Sequence, residues 1–273
     1  MSGNSAFQVI DQRGWRAGLK NMLRAEFQSW WNTNTWWIQC LIWVGLVGGI
    51  LAMVLFASKS TEGVSLPLQE LVLLYGIFGG MFTAVGVVIT MQGAVVGEKV
   101  SGTAAWVLSK PISRSAFIIA KLAVNAFGVA VTAVLVPGMV VFGLITLGGG
   151  YSLSVPRFLG GLGILLLFVV FWLSFTLMLG AFFNSRGPVI GIPLALILGQ
   201  QFILGVIMSI LPALVNFLPY TLSMPPQTEN GSSIVGHIIL GTQPESWLPV
   251  YASLVLTFVF LLVGIWRFRR EEF

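Results

Sequence analysis

Glu98, Lys99, Lys110 and Arg114 crowd into the stretch GEKVSGTAAWVLSKPISRSAF, residues 97–117, of a chain in which only 8% of residues are charged. An acid beside a base, a Gly-Thr turn, a short apolar run stopped by Pro111, and Ser113-Arg114 beyond it do not form a catalytic set. They form a charged, capped helical insert suited to ion pairing and apolar docking. Elsewhere the supply of catalytic groups is poor. The one His, His237, cannot make HExxH and is thin material for a metal cluster. GxSxG and GxxxxGK[ST] are both absent, so any ATP used must be bound by another polypeptide. The single cysteine, Cys40, makes neither an internal disulfide nor a zinc site. No catalytic, cofactor-binding or metal-ligating residue is expected on this chain.

Three amides are the other polar candidates. Asn125 lies one turn beyond Lys121 in an apolar run, and Gln200 and Gln201 sit near the middle of another. A side-chain amide in hydrocarbon costs a few kcal/mol unless it is hydrogen-bonded. These residues therefore either join neighbouring spans or line an interface or a wet pathway.

The elements that must position these groups are apolar. Of the 273 residues 56% are hydrophobic, the mean hydropathy is +0.93, and 32 Gly and 10 Trp complete a membrane-like composition. Six stretches are long enough to cross about 30 Å of hydrocarbon: Trp36–Ala57, Leu71–Val96, Ala116–Leu147, Phe158–Phe183, Val189–Leu211 and Leu248–Phe268. The expected fold is an all-α membrane bundle in a single permease-like domain, since no ten-residue barrel alternation is present. Pro137 marks a kink site in the third span, and Pro193 falls near the first turn of the fifth.

Of the 14 Lys and Arg residues, only Lys59 and Arg157 fall on one side of this layout. Both termini and the 97–114 loop are therefore expected in the cytoplasm of a multi-pass plasma-membrane protein. No cleavable signal peptide is expected. The net charge of +5 fits loops facing anionic lipid and a cytoplasmic partner, with no nucleic acid. Residues 15–34 read as an amphipathic helix, starting at Trp15. Arg13, Arg16, Lys20 and Arg24 make its basic face, and Glu26 interrupts its apolar face. It either lies in the lipid interface or caps the bundle. The 212–247 segment, rich in Pro and without Lys or Arg, reads as an outer loop with short helices before the last span.

Within the 97–114 loop, Gly102 allows a tight turn and Ser101 or Thr103 offers a cap. Trp106, Val107 and Leu108 give the following helix its apolar content, Trp106 and Leu108 offer apolar anchors for a groove, and Pro111 ends it. Ser113 is placed to cap the third span. Glu98 and Arg114 bracket the helix, free to pair with each other or with a partner. The product is a short lever stiffly joined to two spans.

Here the residues resemble a known family. Glu98-Lys99, Gly102-Thr103, Leu108-Ser109, Pro111-Ile112-Ser113-Arg114, Phe117 and Lys121 are similar to the cytoplasmic loop of the type-2 ABC exporter permeases. The Arg24-x-Glu26 pair and the six-span layout follow the same pattern. Ala104-Ala105-Trp106 stands where many relatives carry an acid after Gly-Thr. The resemblance implies a coupling helix that docks in a groove of a separate ATPase subunit. It implies two ATPase copies holding ATP and Mg, a second permease chain, and a prokaryotic inner membrane.

The leading expectation is thus the membrane subunit of an ATP-driven exporter, not itself an enzyme. A related alternative is a permease-like subunit that transmits ATP work to an extracytoplasmic partner, as in metal-site assembly. From other classes, a membrane-embedded enzyme lacks clustered acids or His, and a channel lacks charged rings.

Overall fold

The computed structural model describes residues 14–60, 66–225 and 232–272. Among them the chain is helical, with no strand. Its elements are α1 (Leu19–Trp31), α2 (Thr35–Ser60), α3 (Leu68–Val100), α4 (Thr103–Leu108), α5 (Arg114–Gly148) and α6 (Val155–Phe182). These are followed by α7 (Arg186–Leu198), α8 (Gln200–Ile210), a 3₁₀ turn at Pro212–Phe217, α9 (Tyr220–Ser223), α10 (Ile234–Leu240) and α11 (Leu248–Arg269).

Five of these helices, α2, α3, α5, α6 and α11, are long and apolar enough to cross a membrane. The fifth expected span, Val189–Leu211, is not one helix. It is the pair α7 and α8, bent by 61° at Gly199. Because α7 starts at Arg186, Pro193 lies in its interior rather than its first turn, and it removes a backbone donor there. Gly199 then ends α7, and its amide bonds back to the Ala195 carbonyl at 2.9 Å. Two helix-weakening residues within one apolar run convert a predicted rod into an elbow.

The long helices change register locally. Five-residue-spaced turns occur at Val44–Gly48, Gly93–Gly97, Ala130–Leu135 and Leu144–Gly148. The third of these follows from Pro137: with no amide at 137, the Val136 amide reaches back to Val131. The second falls immediately before Glu98.

The helix α6 is the core of the bundle. It packs against α3, α10 and α11 and buries Phe158, Phe168, Trp172 and Leu177. Tyr75 of α3 stacks on Phe158, and Phe171 meets Phe260 of α11 edge-on. The short α10 lies directly on the Gly161 backbone of α6: a Cβ there would sit 2.5 Å from Ile239 Cγ1. The last span, α11, presents much of its surface outward, including Val255, Phe258 and Leu262.

Candidate functional site

The segment between α3 and α5 projects from one end of the bundle. Gly102 makes its turn with φ 74°, and the Trp106 amide closes the first α4 turn on the Gly102 carbonyl at 3.1 Å. The N-cap position of α4 is Gly102, which has no side chain to cap with; the hydroxyls of Ser101 and Thr103 bond each other at 2.9 Å, and Ser101 Oγ accepts weakly from the Thr103 amide at 3.5 Å. Beyond Pro111, Ser113 caps α5: its Oγ accepts from the Ala116 amide at 3.0 Å. The same hydroxyl donates to the Trp15 carbonyl, and the Ser113 amide bonds the Ala17 carbonyl.

This contact sets where α1 begins. The helix expected from Trp15 starts at Leu19, after Gly18 in the left-handed region at φ 72°. A Cβ on Gly18 would lie 2.7 Å from Ile112 Cγ1. The chain turns here because the α4–α5 junction packs against it.

The faces of α4 are unequal. Ala104 is fully buried, and Val107 and Leu108 are half-buried against the core. Leu108 shares the Ala104 face one turn on, so it faces the bundle rather than acting as an outward anchor. The outward apolar surface is Trp106, 62% exposed, and Val100, 67% exposed. The Lys110 ammonium lies 3.5 Å from the Trp106 ring centroid.

Behind this surface runs a polar seam. Lys121 of α5 is 3% exposed, and its Nζ lies 2.5 Å from Glu98 and 2.8 Å from Glu26 of α1. One turn further, Asn125 accepts from Trp30 Nε1 at 2.9 Å and donates to the Lys121 carbonyl at 2.7 Å. Thr132 continues the face with a bond to Gln39 of α2 at 3.3 Å. Lys121, Asn125 and Thr132 are spaced as one helical face, and Glu26 and Trp30 match them one turn apart. Asn125 is thus engaged on both sides within the seam. Glu98 and Arg114 do not pair with each other. Arg114 Nη1 donates instead to the Arg269 carbonyl at 2.5 Å. Glu26 is the residue whose role the sequence concealed; its partner lies 95 positions away.

Lys99 turns the other way from its neighbour. Its Nζ lies 2.9 Å from Glu271 and 3.4 Å from the carbonyls of Ala181 and Phe183, where α6 ends.

The remaining candidates lie apart from this end. Gln200 is 2% exposed, and its Oε1 has no hydrogen-bond partner among the described residues. Gln201 is exposed, with Nε2 3.2 Å from the Met224 sulfur. Beside the elbow is a cavity of about 210 Å³ lined by Trp172, Phe175, Leu196, Ile203, Tyr220 and Phe260. Arg16, in the turn before α1, and Lys20 and Arg24 on it are exposed, while Met22 is buried and Leu19, Leu23 and Trp30 are half-buried. Arg13 and residues 226–231 of the 212–247 segment lie outside the described residues. Among the described residues no group of three or more His, Cys, Asp or Glu side chains could hold a metal ion.

A family model described as "ABC-2 family transporter protein" matches residues 22–273, from the first turns of α1 to the last residue. The chain belongs to that family. No curated protein matches it. As an ABC-2 permease it is a multi-pass membrane protein, the transmembrane component of an ABC transporter rather than its catalytic part. The match takes in the charged segment, the seam and the elbow together, so none of them is an appendage to the family domain.

Proposed function

We propose that this ABC-2 permease couples ATP hydrolysis in a separate nucleotide-binding subunit to the export of a solute, with α4 as the coupling helix. One observation carries the reading. An exposed tryptophan helix is fixed at its leading end by buried ion pairs and at its trailing end by the Ser113 and Arg114 side chains, which donate to backbone carbonyls. ATP-driven closure in the partner shifts the groove that holds Trp106 and Val100. The displacement then divides. Glu98 carries it through Lys121 to α5 and α1, and Lys99 carries it to the end of α6. The segment 98–114, both termini and the basic face of α1 lie on the cytoplasmic side, by the Lys and Arg bias.

The moving part is the elbow between α7 and α8. A break at mid-depth changes angle more readily than a continuous helix, because fewer backbone bonds cross it. The exposed Gln201 faces the pathway or a second permease chain, while Gln200 packs inward. The aromatic cavity beside the elbow favours an apolar solute or apolar moiety. The working assembly is two permease chains with two ATPase subunits in a prokaryotic inner membrane, the ATP and Mg being held by the ATPase.

Affinity purification of the tagged chain from its native membrane tests the reading. An ABC ATPase should co-purify, with vanadate-sensitive hydrolysis, and vesicles should accumulate solute only with ATP. Hydrolysis with no solute movement would favour transmission of work to an extracytoplasmic partner instead. A chain that purifies alone and active contradicts both.

A further inference from the structure

The last span ends in a turn that has no part in the seam through Lys121, yet it is fastened to both ends of the charged segment. At the leading end, Glu271 lies 2.9 Å from Lys99 Nζ, the two side chains being 12% and 6% exposed. The same carboxylate lies 2.8 Å from Arg267, one turn back on α11. At the trailing end, Arg114 donates to the Arg269 carbonyl. Between these two points Phe117 of α5 and Phe268 of α11 stack at 5.1 Å and 7°, both fully buried. The contacts are of three chemical kinds and converge on residues 267–271.

We propose that this C-terminal turn is a second input arm, with Glu271 as the positioning residue that ties α11 to displacement of the coupling segment. The physical argument is one of stiffness. The outer face of α11 is largely exposed apolar surface, which resists lateral movement little. A span so weakly held on one side follows whatever grips its end. Glu271 grips it through two cations at once, one on the coupling segment and one on α11 itself. Because Lys99 also bonds the last carbonyls of α6, α6 and α11 are drawn from a single point. The carboxylate is needed for this, since an amide cannot hold two cations by charge. The inference rests on α4 being the coupling helix.

The test uses the complete complex in lipid nanodiscs, in a Cys40→Ser background. Spin labels at Leu147→Cys and Trp247→Cys report the distance between the far ends of α5 and α11 by double electron–electron resonance. In the otherwise unaltered chain, trapping with ATP and vanadate should shift the distribution. Glu271→Gln should lose at least half of that shift while still co-purifying with its ATPase. Glu271→Asp, which keeps a charge for both cations, should retain more of the shift than Glu271→Gln, which a general loss of folding would not allow. A full shift in Glu271→Gln, no shift in the unaltered chain, or equal losses in Glu271→Asp and Glu271→Gln overturns the arm. Co-purification that survives Trp106→Ala with Val100→Ala would overturn the docking site instead, whatever Glu271→Gln does.

Discussion

The ammonium of Lys121 lies 2.8 Å from the carboxylate of Glu26, joining α5 to a helix that precedes it by 95 residues. Glu98 completes the cluster at 2.5 Å, so one buried cation holds the N-terminal helix and the charged segment together. Removing it leaves two carboxylates facing each other in a largely desolvated site. Breaking a buried pair by deleting one partner costs about 3–5 kcal/mol. Glu98 is partly exposed, so about 1–3 kcal/mol is the expectation here. Lys121→Met should therefore lower the thermal midpoint of the detergent-solubilised protein by several degrees. Glu26→Gln, which leaves one anion in place, should lower it less. Equal midpoints for Lys121→Met and the parent would mean that the cluster contributes nothing to the fold.

Glu26 also marks what the sequence alone conceals. In the helical projection of α1 it is a charge on an apolar face, and only the fold brings Lys121 to it. The long spans were legible, because their length and hydropathy are local properties: α2, α3, α5, α6 and α11 fall where the apolar runs do. The Ser113 cap was legible for the same reason. The elbow at Gly199 was not, because a Pro and a Gly in an apolar run are tolerated in many straight membrane helices and only neighbouring contacts decide. Leu108 reads as an outward anchor from its apolar type, but its face is set by Ala104, whose burial depends on the rest of the bundle. Val100 ends an apolar span, and nothing in the sequence marks it as projecting. At the site, then, the segment was readable, and the residues that fasten it were only half so.

Packing of α10 on α6 gives a paired expectation. Gly161 has no room for a methyl group, since Ile239 lies 2.5 Å from where it would sit, whereas nothing lies within 4 Å of the same position on Gly163. Gly161→Ala should destabilise by about 1–3 kcal/mol through overpacking. Gly163→Ala should be neutral or stabilise by up to about 1 kcal/mol through helix propensity. Thermal midpoints of the two variants, measured side by side, should move in opposite directions or at least separate clearly. Equal midpoints would dissolve the claim that α10 is seated on α6.

The adjacent amides at the elbow should behave differently. Gln200 is buried with an unbonded oxygen, so Gln200→Leu removes an unsatisfied acceptor and should leave stability unchanged or raise it by about 1 kcal/mol. Gln201 is exposed beside the elbow, so Gln201→Leu should change ATP-dependent transport at least several-fold. Transport unaffected by Gln201→Leu would reassign that residue to passive packing.

Sidedness is open to direct chemistry. With Cys40 replaced by Ser, a thiol at the exposed Gln243 should react with a membrane-impermeant maleimide on intact cells. A thiol at the exposed Lys110 should react only after permeabilisation. The reverse pattern contradicts a cytoplasmic 98–114 segment.

The central claim is that force enters through the outward face of α4, and binding of the ATPase to the permease in nanodiscs measures it most directly. Trp106 and Val100 are exposed, and the ring's cation contact is with the equally exposed Lys110, so Trp106→Ala with Val100→Ala should leave the fold intact. Truncation of a central interfacial tryptophan costs 2 kcal/mol or more, which is about 30-fold in affinity. The predicted result is a loss of at least that size, with permease-stimulated ATP hydrolysis falling in step. Wild-type affinity together with wild-type stimulation in the double variant would contradict the account.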